Sequence, residues 1–300
     1  MQPAALSGVA IIDKPPGLTS HAVVAQARRL FGRRDLGHAG TLDPMATGVL
    51  LVLVGQACKL SSYLTADSKR YAAEIRFGVA TDTLDADGRI TLETPLLPDQ
   101  LEPGKVEAAL EVERARTLQV PPAVSAIKVD GQRSYALARR GTSPELAARA
   151  IEVHELRLVE LAAPLLRCEL LVSKGYYVRA LARDLGEGLG TPAHLSALRR
   201  LASGPFGIDQ AHAWPRSEAP PLLDLARAAS AALPVARLSA DAVLRARQGK
   251  QLEACDFSEL PPASEAGAWL APDGQLVAIG TVTPPFKVLR GFNPEGLSAP

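Results

Sequence analysis

Six consecutive apolar residues, Val49-Leu50-Leu51-Val52-Leu53-Val54, stand between Gly48 and Gly55. The run is too short for a helix of ordinary length and offers no polar side chain to water. It therefore predicts a strand buried on both faces, at the centre of a sheet. The preceding stretch, Gly37-His38-Ala39-Gly40-Thr41-Leu42-Asp43-Pro44-Met45-Ala46-Thr47-Gly48, reads as a loop feeding that strand. Asp43 is the only acidic residue between Asp35 and Asp67. Pro44 behind it disfavours helical geometry, and the glycines allow a tight turn or the close approach of a ligand. A lone carboxylate held above a central sheet is one way to display a nucleophile or general base. The alternative is an Asp-Pro turn whose carboxylate caps its own backbone.

Around this centre the chain alternates strands and helices. Gly8 to Asp13 predicts an opening buried strand, closed by the turn Lys14-Pro15-Pro16-Gly17. A helix capped by Thr19 or Ser20 follows, with Val23, Val24, Ala27, Leu30 and Phe31 on one face. Cys58 to Leu64 fits a short helix. Lys69 to Phe77 alternates, placing Tyr71, Ala73, Ile75 and Phe77 on one side. The acidic stretch Thr81 to Gly88 reads as a structural turn, lacking the later glutamate of a calcium loop. Further on, Val106 to Val112 and Ser134 to Arg140 suit helices, and Asp130-Gly131 marks a hairpin turn. Ile151 to Leu161 and Leu165 to Val172 read as antiparallel neighbours. Composition shifts at Pro220-Pro221, which sets a domain boundary near Ala231. Beyond it lie a helix, Ser239 to Arg247, and a hairpin across Trp269 to Gly280.

Composition limits what the chain can bind. A net charge of +1 gives no global pull toward nucleic acid, so any such affinity has to be local. Arginines Arg28, Arg29, Arg33 and Arg34 cluster beside the Asp43 segment, suited either to phosphates or to a solvated face. Three scattered cysteines without neighbouring histidines argue for free thiols and against structural zinc. No stretch approaches the ~20 apolar residues of a membrane span, and no signal peptide is evident, so a cytoplasmic protein is expected.

The string G-H-x-G-T-L-D-P-x-A-T-G-V-L, Gly37 to Leu50, resembles the signature loop of the bacterial TruB family of tRNA pseudouridine synthases, with Ala39 at the family's second threonine. Asp13 to Ser20 resembles the family's first motif, and Ser125 to Gly141 its RNA-gripping thumb. Ser173 to Gly186 resembles its S-K-G-T-Y-I-R pattern, with Tyr176 in place of threonine, and His194 to Leu201 resembles its L-R-R-L segment, which implies a helix there. The resemblance implies an α+β fold: a mixed, mainly antiparallel central sheet flanked by helices. Residues 1–230 would form the catalytic domain and residues 231–300 a small β-rich PUA-like RNA-binding domain.

The implied reaction turns the T-loop uridine at tRNA position 55 into pseudouridine after flipping it out of the stack. It is an isomerisation, so no cofactor or metal is expected, and a monomer would suffice. The resemblance makes Asp43, Tyr71 and Arg179 catalytic, with Arg179 the partner of Asp43. It makes His38, Tyr177, Leu198, Lys14, Lys128 and Arg139 substrate-binding. A guide-RNA-dependent synthase would carry a larger, more basic C-terminal region. A non-catalytic RNA-binding module would have no need of Asp43, Tyr71 and Arg179 together.

Overall fold

The computed structural model describes residues 6–65, 68–125, 128–129, 132–133, 146–215 and 217–293. Its main sheet has nine strands, and seven of them run in the order Val153–Ala162, Leu165–Val172, Lys69–Phe77, Ala193–Ser203, Thr47–Val54, Gly8–Lys14, His212–Ala213. Pairings are antiparallel except for Ala193–Ser203 with Thr47–Val54 and Gly8–Lys14 with His212–Ala213. The sheet is thus mixed and mainly antiparallel, as expected.

The apolar run lies at the middle of this sheet, and its two faces belong to different cores. Leu50, Val52 and Val54 pack with Val23, Val24 and Ala27 of the helix Ser20–Phe31. Val49, Leu51 and Leu53 face the other way, toward Leu225, Ala228, Ala268, Leu270 and Ile279. All six are fully buried, worth roughly 1.5–3 kcal/mol apiece as an upper bound. That two-sided burial is why the run carries no alternation.

Two expectations about local structure require correction. Leu36–Ala39 is a strand paired with Leu51–Val54, so the Asp43 loop is shorter than the turn-forming composition suggested. Residues Ala193–Ser203 form a strand, not a helix. Irregularities between Leu195 and Ala197 and between Arg200 and Ala202 rephase its side chains. Leu195, Leu198, Arg200 and Ser203 are therefore buried at spacings of three, two and three, which breaks the alternation of a regular strand. The predicted Cys58 to Leu64 helix is a 3-10 turn, Gly55–Leu60, running into Ser61–Thr65. Lys128–Val129 pairs antiparallel with Gln132–Arg133, while the predicted Asp130-Gly131 turn and Ser134 to Arg140 helix fall outside the described residues.

A second, five-stranded sheet begins at Val235–Leu238. The helix Leu225–Ala232 lies between it and the back of the main sheet, within one continuous core. Among the described residues, no helix is long and apolar enough to cross a membrane.

Candidate active site

Asp43 sits in the loop between Leu36–Ala39 and Thr47–Val54, at the floor of a cleft of about 730 Å³. Three neighbours brace that loop. The Ser20 hydroxyl accepts from Leu42 N–H at 2.9 Å and donates to Leu42 C=O at 3.2 Å. Gly17 N–H and Lys14 Nζ donate to Pro44 C=O at 2.9 and 3.1 Å. The loop is therefore held on both sides of the carboxylate.

Arg179 approaches from the first turn of the helix Val178–Gly188. Its Nε donates to Asp43 Oδ2 at 2.9 Å and its Nη2 to Oδ1 at 3.2 Å, a planar two-point grip. Nη1 donates to Thr83 C=O at 2.9 Å. A second carboxylate, Asp85, stands 3.5 Å from Nε. Asp85 is buried, and burial raises its pKa, opposed by the Thr83 hydroxyl that donates to it at 2.5 Å and by Arg179. Arg179 is itself buried, whereas the Asp43 side chain keeps 34% of its surface open to the cleft. One carboxylate is thus presented and the other supports the arginine from behind.

The cleft walls carry the aromatic groups. Tyr71 reaches it from Lys69–Phe77 and Leu198 from the neighbouring Ala193–Ser203 strand. Tyr177 lines it too. Its backbone N–H donates to Gln119 Oε1 at 2.9 Å, and its C=O accepts from Gln119 Nε2 at 3.2 Å. This Gln119 clip was not legible in the sequence, because the two positions lie 58 residues apart.

His38 lies behind the cleft wall, edge-on to His21 at 5.1 Å between ring centres. Burial, with His21 and Arg200 nearby, lowers its pKa to about 4, so it is neutral at physiological pH. His21, which does line the cleft, was not anticipated.

Lys14 requires a correction. It is fully buried and donates to the carbonyls of Pro15, Leu18 and Pro44 at 2.8, 2.7 and 3.1 Å, so it holds the loop and is not presented to a ligand. Desolvation lowers its pKa to about 8, with Asp43 opposing. The backbone of Lys128 is paired with Arg133, and Arg139 lies outside the described residues. Arg33 is tied to Asp35 by bonds of 2.9 and 2.6 Å, while Arg34 stands exposed. Chemically, the cleft offers an arginine-held carboxylate, tyrosine rings to receive a planar group, and mostly apolar walls.

Comparison with known proteins agrees with this arrangement. Residues 28–178 match the model described as TruB family pseudouridylate synthase (N terminal domain). Residues 179–218 match the tRNA pseudouridylate synthase B C-terminal domain. The chain is 43% identical over 284 residues to the protein named tRNA pseudouridine synthase B of Arthrobacter sp. (strain FB24), spanning 91% of this chain and 92% of that one. It is 42% identical over 296 residues to its namesake in Mycobacterium tuberculosis (strain ATCC 25618 / H37Rv), spanning 94% and 96%. A solved structure, "Structure of H/ACA RNP bound to a substrate RNA containing 2'-deoxyuridine", aligns with a TM-score of 0.73 at 22% identity. It covers 96% of this chain and 86% of that one. That of a "Cbf5-Nop10-Gar1 Complex" aligns with a TM-score of 0.70 at 24% identity, covering 91% and 78%. At these identities the likeness to the two solved structures is one of fold.

Proposed function

Because this chain belongs to the TruB family of pseudouridylate synthases, we infer that it isomerises uridine to pseudouridine in tRNA, acting on the T-loop uridine at position 55. The bond from C1′ to N1 breaks, the uracil turns, a bond from C1′ to C5 forms, and the proton leaving C5 is balanced by one gained at N1. Nothing is oxidised or reduced, and no co-reactant is consumed.

The observation that carries the reading is the two-point grip of Arg179 on Asp43 at the floor of an aromatic-lined cleft. Asp43 serves as nucleophile or base at the flipped nucleoside. Tyr71 stacks on the uracil, with Leu198 and Tyr177 bounding its pocket. His38, a neutral ring at physiological pH, helps to fill the gap that the flipped base leaves. Lys128 and Arg139 meet the T-arm backbone. Residues 1–230 carry the chemistry and residues 231–300 act as a PUA-like RNA-binding unit. A monomer suffices for this chemistry, and tRNA as substrate favours the cytoplasm.

The test is pure protein with an isolated T-arm hairpin and no guide RNA, followed by mapping of pseudouridine. Conversion at the T-loop uridine, unaffected by chelator, is expected. Asp43→Asn should bind the hairpin and convert none of it. A requirement for guide RNA or metal, or activity in Asp43→Asn, would overturn the reading.

A further inference from the structure

We propose that Arg200 is a positioning residue for the isomerisation, its buried guanidinium tying together the two ends of the loop that presents Asp43. The inference rests on the proposed activity and extends it to a residue not otherwise assigned.

Only 1% of Arg200 is exposed. Its Nε donates to Val49 C=O at 2.6 Å, just beyond the loop, and its Nη2 to Gly40 C=O at 3.0 Å, at the loop's start. Nη1 makes a longer bond of 3.4 Å to Thr41 C=O. Asp43 lies between these anchors, so one rigid fork fixes the span that carries the reacting carboxylate. The approach is built into the sheet. Arg200 pairs in parallel register with Gly48, whose φ of +98° suits glycine, and a Cβ there would collide with the Arg200 backbone carbonyl. Gly40, at φ +81°, would bring a Cβ to 3.4 Å from Nη1.

Arg200 also differs from its neighbours in what it bonds. Arg199 pairs with Asp13 and Arg179 with Asp43. Among the described residues, no carboxylate makes an ion pair with Arg200, whose acceptors are all neutral carbonyls. Burying a charge against neutral acceptors is a poor way to gain stability. What this arrangement supplies is geometry, plus a positive charge in the cleft wall. That charge is felt locally, since it helps to lower the pKa of both Lys14 and His38. Fixed positive charge there also favours the electron pair that passes to uracil when the C1′–N1 bond breaks.

The test compares single-turnover rate and hairpin affinity for wild type, Arg200→Met, Arg200→Lys and Arg200→Ala, each first shown to be folded by near-UV circular dichroism. A carboxylate displaced by about 1 Å can cost roughly 100-fold, so Arg200→Met should lose about that in rate, with the dissociation constant within about threefold. Arg200→Lys keeps the charge without the fork and should lose about tenfold. Millimolar guanidinium should restore at least about tenfold to Arg200→Ala by refilling the site. The inference fails if Arg200→Met or Arg200→Lys turns over at the wild-type rate, if the loss lies in affinity instead, or if guanidinium restores nothing. Should Arg200→Met not fold, the lysine variant and the guanidinium arm decide the matter alone. Failure of wild type to convert the hairpin would instead count against the proposed function.

Discussion

Arg179 serves two carboxylates whose situations differ, and its substitutions should separate them. Asp43 faces the cleft, whereas Asp85 is buried behind the guanidinium. Arg179→Ala would strand Asp85 without its cation and is expected to destabilise the fold by about 3–5 kcal/mol. Arg179→Lys keeps a charge but loses one of the two bonds to Asp43. A charge-assisted bond is worth about 1.5–3 kcal/mol, so its single-turnover rate should fall by roughly ten- to a hundredfold while the protein stays folded. A wild-type rate in Arg179→Lys would show that the planar grip is dispensable. His38 yields a prediction in pH. The unfolded chain protonates it near 6.5 and the native protein only near 4. The native state therefore binds fewer protons between those values, and stability is lost as pH falls through that window, by up to about 3 kcal/mol. Urea unfolding at pH 7 and pH 5 should show the loss, and His38→Gln should flatten it. At this scale the sequence was informative where a string of unusual residues surrounds a side chain, as at Asp43 and Arg179, which the structure pairs. It was silent for Asp85, Gln119 and Arg200, whose partners lie far along the chain, and it misplaced Lys14, whose charge is turned inward.

The strand Ala193–Ser203 illustrates what a local pattern can hide. A regular strand would have shown an alternation of two, but two bulges break that alternation among its buried residues. The Lys69–Phe77 strand has no bulge, and its alternation was readable directly. Leu36–Ala39 went unseen because four residues containing a glycine and a histidine carry no clear period. Close packing at the head of the central strand makes a prediction about glycines in the same segment. Gly48→Ala meets both a left-handed backbone and the Arg200 carbonyl, so it should cost about 3 kcal/mol or more. At Gly37 a Cβ would meet only Cys58 Sγ at 3.7 Å, an ordinary contact. Gly37→Ala should therefore stay within about 1 kcal/mol of wild type. Urea midpoints of the two variants make the comparison, and equal losses would refute the close approach.

Across the whole molecule, the second sheet is not a detachable appendage. Ala268, Leu270 and Ile279 complete the core behind Val49, Leu51 and Leu53. Cutting the chain after Ala231 should therefore expose that core and yield an insoluble or loosely packed product. The intact protein should unfold as one unit. Trp214 reports the main core and Trp269 the second sheet, so Trp214→Phe and Trp269→Phe isolate one signal each. Coincident fluorescence midpoints are expected, and separated ones would mean independent domains. Affinity for tRNA should fall with salt despite the net charge of +1. Arg34→Ala should lower the log–log slope by about one unit, whereas Arg33→Ala, whose charge Asp35 already engages, should leave it nearly unchanged. An unchanged slope for Arg34→Ala would return that residue to the solvated surface. The same long-range architecture has a consequence for biosynthesis. Asp43 and Arg179 are 136 residues apart, so at about 5–20 residues per second their pairing must wait roughly 7–27 s after the aspartate is made. During that interval the emerging chain displays a sticky central strand without its later neighbours. Until the remaining strands arrive, that strand is open to aggregation.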